Sequence, residues 1–251
     1  MTPNEPGYPV PVSPETPAPA PPTPRWPFWS YRDVFFFVGL IFPSFVIALI
    51  LVQAVARFIP FGRGFDELLM QLVLYILIFG GLYAIFRLRY EQPFWRSLGW
   101  GPPFRWANLS FLGGPLLAFA NGYLGYAIRV PEIQNPFQQM LLDRPSIVLF
   151  AIFAVIIGPL CEELAFRGFL MPLLVRDLGA GAGVLVTALI FGAIHAPEYQ
   201  YSWKHAALIC LAGVVFGWVR YRTGSTAAST FMHSSYNLTQ LAAFLAQSRT
   251  I

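Results

Sequence analysis

About seven stretches of this chain are apolar over most of the ~20 residues that a helix needs to cross a bilayer core of ~30 Å. In lipid every backbone N–H and C=O must find its partner within the protein, which leaves helices and closed barrels as the spanning forms. Charged residues make up 11% of the sequence and hydrophobic ones 56%, whereas a soluble domain carries about 25% charge. Mean hydropathy is +0.57. The sequence therefore predicts an all-α, polytopic transmembrane bundle of about 7–8 helices, with a polar intramembrane cavity to house the ionisable residues that interrupt the apolar runs.

The expected spans cover residues 34–56, 68–86, 109–128, 147 through the Glu162-Glu163 pair, 180–195, 206–219 and 226–246, with an eighth if 164–178 forms a separate segment. Ahead of them, eleven of the first 28 residues are proline, a density that forbids helix and predicts a disordered or polyproline-II tail over 1–30. Residues 31–251 form the transmembrane domain. The first apolar run begins after Asp33 and is too long for the h-region of a signal peptide, so it reads as an uncleaved first span.

The formal charge is +4, yet the basic residues flank apolar runs instead of clustering, which fits loop placement and not nucleic-acid binding. Alternating the spans puts Arg25, Arg32, Arg87, Arg89, Arg96, Arg105, Arg167, Arg176, Arg220 and Arg222 on one side. Arg57, Arg63, Arg129, Arg144, Lys204 and Arg249 fall on the other. The excess predicts a cytoplasmic N-terminus. Cys161 and Cys210 sit within apolar helical patterns and offer neither a disulfide framework nor a metal knuckle.

Chemistry concentrates in three places. Glu162 and Glu163 follow an apolar run, and a carboxylate at bilayer depth costs about 2.5–3.5 kcal/mol on insertion scales. Arg167 lies four residues after Glu163, on the same helix face, where a charge-assisted pair forms. Glu162 is rotated about 100° away and needs partners on other helices. Glu162 precedes Gly179 by 17 residues and His195 follows it by 16. If Gly179, Gly181 and Gly183 reverse the chain, both arms climb about 24 Å and reach one depth. His233 and Asn237 then stack at i and i+4 on the last span, TAASTFMHSSYNL, which is too polar to face lipid. Gly213-x-x-x-Gly217 gives the preceding span a face for close helix approach. His205, near the start of that span, is the simplest kind of interfacial residue and stands outside this set.

Glu162-Glu163-x-x-x-Arg167, Phe191-x-x-x-His195 and His233-x-x-x-Asn237, in this order on three core helices, resemble the signature of the CAAX-processing and bacteriocin-processing (CPBP, or Abi) family, which includes the type II CAAX prenyl endopeptidases. The likeness covers about 146–247. It implies an intramembrane endopeptidase acting on a membrane-associated peptide or protein, prenylated or carrying a leader, in a bacterial cytoplasmic membrane. Glu162 is then the general base, His195 holds the attacking water, and His233 with Asn237 stabilises the oxyanion, while Glu163 and Arg167 brace the motif helix.

A metal version is equally easy to draw, because Glu162, His195 and His233 are a His₂Glu set of the kind that holds catalytic zinc, although none of the motifs is the His-Glu-x-x-His pair. The cofactor is thus either a divalent metal such as zinc or none. Two other function classes stay open: a non-catalytic peptide-binding or bacteriocin-immunity protein of the same fold, and a small transporter, since intramembrane carboxylates and histidines also mark ion paths. A transporter should show internal repeats, and the Glu-Glu motif has no second copy in the first half.

Overall fold

The computed structural model describes residues 26–59, 63–101, 105–133 and 144–248; the expected proline-rich tail falls almost entirely outside them. Every regular element among the described residues is helical. In chain order these are α1 (Tyr31–Ala56), α2 (Arg63–Ala84, prolonged by a π-helical turn Ile85–Arg89), the short α3 (Phe94–Ser97) and α4 (Arg105–Ala127). A composite α5 starts with Arg144–Ile152 and ends with Met171–Leu178; α6 (Ala180–Ile194), α7 (Trp203–Thr223) and α8 (Thr226–Ser248) follow, with a 3-10 turn Ala196–Tyr199 after α6.

Four helices combine length and apolarity enough to cross a membrane: Tyr31–Ala56, Gly64–Arg89, Ile147–Leu178 and Trp203–Thr223. The protein is an integral membrane protein. α6 has 15 residues and falls short of a full crossing. α4 and α8 have 23 residues each and pack along one another, but neither combines that length with enough apolarity. Segment 164–178 is not a separate helix, since α5 runs through it without a break. The eighth helix is instead α3, four residues long and too short to carry an apolar period.

α5 stays continuous by changing register. It is π-helical at Phe153–Ile157 and Leu164–Leu170, each segment lying just before a proline, Pro159 and Pro172. A proline ring has no N–H to give the preceding turn and crowds it. Widening to the i→i+5 register absorbs that mismatch locally.

The helices alternate in direction. Around the start of α1 and the end of α2, Asp33 is buried and accepts from Tyr90 Oη, the Ser30 backbone N–H and Arg89 at 2.8, 2.9 and 3.3 Å. Trp29 beside it donates its indole N–H to Phe169 O of α5 at 2.9 Å and stacks on that ring at 5.7 Å. At this same face the backbone N–H of Thr226, first residue of α8, donates to Gly99 O at 2.9 Å. At the opposite face Lys204 Nζ, at the start of α7, caps the end of α4 through Ile128 O and Arg129 O at 2.8 and 2.9 Å.

The polar last span does lie inside. Ala227, Ala228, Ser229, Thr230, Met232, His233 and Ser235 of α8 are all buried. α4 reaches it through Gly114, where an added Cβ would come within 2.5 Å of Met232 O and 2.6 Å of Tyr236 N. The Gly213-x-x-x-Gly217 face receives α6, with Ala188 and Phe191 beside Gly213 and Val184 beside Gly217.

Candidate active site

Arg167 Nη1 donates to Glu163 Oε1 at 2.8 Å, and both side chains are 0% exposed. The i,i+4 spacing persists although α5 passes into its π register at Leu164. Arg167 Nη2 donates to Gly213 O at 3.1 Å, and the guanidinium lies 4.4 Å from the centre of the Phe191 ring. Gly213 is needed for this approach, because a Cβ there would sit 3.2 Å from Arg167 Nη2. A buried charge is tolerable only when paired and hydrogen-bonded. Here the pair, the carbonyl and the ring faces together meet that condition.

Glu163 also leaves its own helix. His233 Nδ1 lies 3.1 Å from Glu163 Oε1 across the α5–α8 contact. A carboxylate only accepts, so Nδ1 carries the proton. The ring stacks on Phe216 at 4.6 Å with the planes 21° apart and meets the edge of Phe191 at 5.9 Å. Its other nitrogen, Nε2, stands 3.8 Å from Glu162 Oε2. The two adjacent glutamates thus address opposite sides of one imidazole. Glu163 is fully buried, and Glu162 is 25% exposed towards a cavity.

His195 closes α6. Its Nδ1 lies 2.7 Å from Phe191 O, a group that only accepts, so the proton sits on Nδ1 and Nε2 of the neutral ring keeps its lone pair. Asn237 Nδ2 donates to Ala154 O at 2.8 Å. In the π register Ala154 O would pair with the nitrogen of residue 159, and residue 159 is proline. The Asn237 amide takes the place of that missing donor, which fixes α8 to α5 beside Glu162 and leaves one amide hydrogen and Oδ1 uncommitted.

Glu162, His195, His233 and Asn237 line one cavity of about 550 Å³. Its wall adds Glu67, Gln71 and Tyr75 from the first half of α2, Glu198 and Tyr199 from the 3-10 turn, and Tyr236 and Gln240 from α8. None of these comes from the N-terminal face. The cavity runs from mid-bundle to the face where α2, α5 and α7 begin, and Phe191 and Phe216 also line it.

Residues 144–239 match the family model described as type II CAAX prenyl endopeptidase Rce1-like. This stretch, under half of the chain, is similar to that family. The match covers α5 to most of α8, including all seven motif residues, and leaves α1–α4 outside it. No curated protein and no solved structure matches the chain. The likeness to this family supports protease activity in general terms.

Within the Rce1-like domain the metal expectation meets a geometric test. Among the described residues no three His, Cys, Asp or Glu side chains converge so as to hold a metal ion. His233 is turned with Nδ1 onto Glu163, and Glu162 faces its Nε2 from 3.8 Å. In this structure Glu162, His195 and His233 do not converge as a metal-holding group. Cys161 and Cys210 are free thiols. His205 stacks on Tyr199 at 4.5 Å, and its Nδ1 has no hydrogen-bond partner among the described residues.

Glu198 was absent from the sequence-derived set, although it sits three residues after His195 and lines the cavity. Lying in the turn between α6 and α7, it is largely buried. That burial pushes its carboxyl above the usual carboxylate range, with His195 opposing the shift and Glu162 adding to it. The His195-x-x-Glu198 spacing was the one available signal, and a turn made by Pro197 hid it from any helical pattern.

Proposed function

We propose that this Rce1-like domain is a glutamate-type intramembrane endopeptidase. The observation that carries this is the pair of glutamates on either side of His233, with Glu162 at the cavity and Glu163 locked to Arg167. Glu162 removes a proton from water, and the His195 Nε2 lone pair accepts the other hydrogen and aims the oxygen. The oxyanion is met by the uncommitted Asn237 amide hydrogen and, in the protonated ring, by His233 Nε2–H, a form that Glu163 supports from the other side. The substrate is a peptide segment that enters the cavity from its open face.

The purified full chain, incubated in detergent with a pool of quenched fluorescent peptides, should cleave at an unchanged rate after treatment with a strong chelator. Loss of cleavage that added zinc restores contradicts the glutamate mechanism.

Orientation belongs to the same proposal. Arg167 is buried in the core, so it leaves the loop tally, and nine of the ten arginines remain at the N-terminal side against six bases at the other. This favours a cytoplasmic N-terminus, which turns the cavity mouth to the outer face. A membrane-impermeant maleimide should label Gln240→Cys in intact cells and leave Trp95→Cys unmodified. The reverse labelling contradicts this orientation.

A further inference from the structure

At the N-terminal face, remote from the catalytic cavity, a second cavity of about 780 Å³ is lined by Arg87 and Tyr83 of α2, Trp95 and Arg96 of α3, and Trp100 in the loop after it. We propose that it binds the phosphate headgroup of an anionic phospholipid.

The charge is uncompensated. Arg89, two residues from Arg87, spends its charge on buried Asp33 at 3.3 Å. Neither Arg87 nor Arg96 has a carboxylate within ion-pair distance among the described residues, and both are exposed. A third guanidinium stands directly behind the wall. Gly99 has φ +76°, and a Cβ there would come within 2.4 Å of Arg220 Nη2. Arg220 is 5% exposed and donates Nε–H to the Thr226 hydroxyl at 2.8 Å; no carboxylate pairs with it either. A buried cation without a counter-ion is costly, and an anion resting against Gly99 supplies one.

The shape selects a lipid over a free ion. Tyr83, Trp95 and Trp100 form an aromatic wall, with Trp95 and Trp100 centroids 5.9 Å apart. Amphipathic rings with arginine at the end of a span are the interfacial pattern that receives headgroups. The site is also tied to the catalytic helix. Thr226, first residue of α8, bonds Gly99 O, Leu98 O and Arg220, and the same helix carries His233 and Asn237.

The test needs no peptidase activity. Native mass spectrometry on the full chain in neutral detergent, offered equal phosphatidylglycerol and phosphatidylcholine, should show preferential retention of phosphatidylglycerol. Arg87→Gln/Arg96→Gln should lower that retention about 30-fold, from roughly a five- to sixfold contribution per surface arginine. Arg87→Lys/Arg96→Lys should keep most of it, with unchanged thermal unfolding in both variants. Equal retention of the two lipids, or an unaffected glutamine variant, overturns the proposal. Displacement of phosphatidylglycerol by equimolar inorganic phosphate also overturns it and assigns the cavity to a free anion.

Discussion

Glu162→Gln should lower peptide hydrolysis by about 10³-fold while leaving the protein folded, because the amide keeps shape but cannot take a proton and general-base contributions run to about 10²–10⁴. Glu162 is partly exposed to the cavity and faces His233 Nε2 at 3.8 Å, so no buried ion pair breaks. His195→Ala should fall by a comparable factor. If the two groups act on one water, the double variant should be scarcely worse than either single one. Rates measured on one fluorescent peptide across the four proteins decide this, and fully multiplicative losses contradict a shared water.

The second large effect is on stability. Arg167→Met should destabilise the bundle by about 3–5 kcal/mol, the usual result of leaving one member of a buried pair uncompensated. Glu163 is 0% exposed, and one of its oxygens, Oε2, has no hydrogen-bond partner among the described residues. Replacing both residues, Glu163→Met/Arg167→Met, should recover most of the loss, since apolar residues of similar volume often match a buried ion pair. The double variant should stay inactive all the same, because His233 has then lost the acceptor that fixes its tautomer. Thermal unfolding in detergent together with hydrolysis separates these outcomes. A stable and active double variant would show that Glu163 serves only as a brace.

Much of this was legible from residue spacing. Apolar runs placed the long helices, and i,i+4 periodicity paired Glu163 with Arg167 on one face. The polar composition of TAASTFMHSSYNL put α8 in the interior. What stayed hidden depends on contacts between distant parts of the chain. The bond from His233 to Glu163 spans 70 residues, and it makes Glu163 a partner of His233 as well as of Arg167. The role of Asn237 at Ala154 follows from a register change before Pro159, which no helical wheel at 100° per residue displays. Spacing leaves the continuity of α5 open for the same reason: 164–178 is an eighth segment only if it stands apart, and the π register before Pro172 carries the helix through. The His₂Glu set looked complete as a list of residue types, but among the described residues its side chains do not converge as a metal-holding group.

The central claim is that Glu162 drives peptide-bond hydrolysis in the membrane. Membrane and released peptides should be compared by mass spectrometry between cells carrying the wild-type chain and cells carrying Glu162→Gln at equal abundance. The account predicts at least one new peptide terminus that depends on Glu162, with its uncut precursor accumulating in the variant; identical sets of termini in the two cells would contradict it.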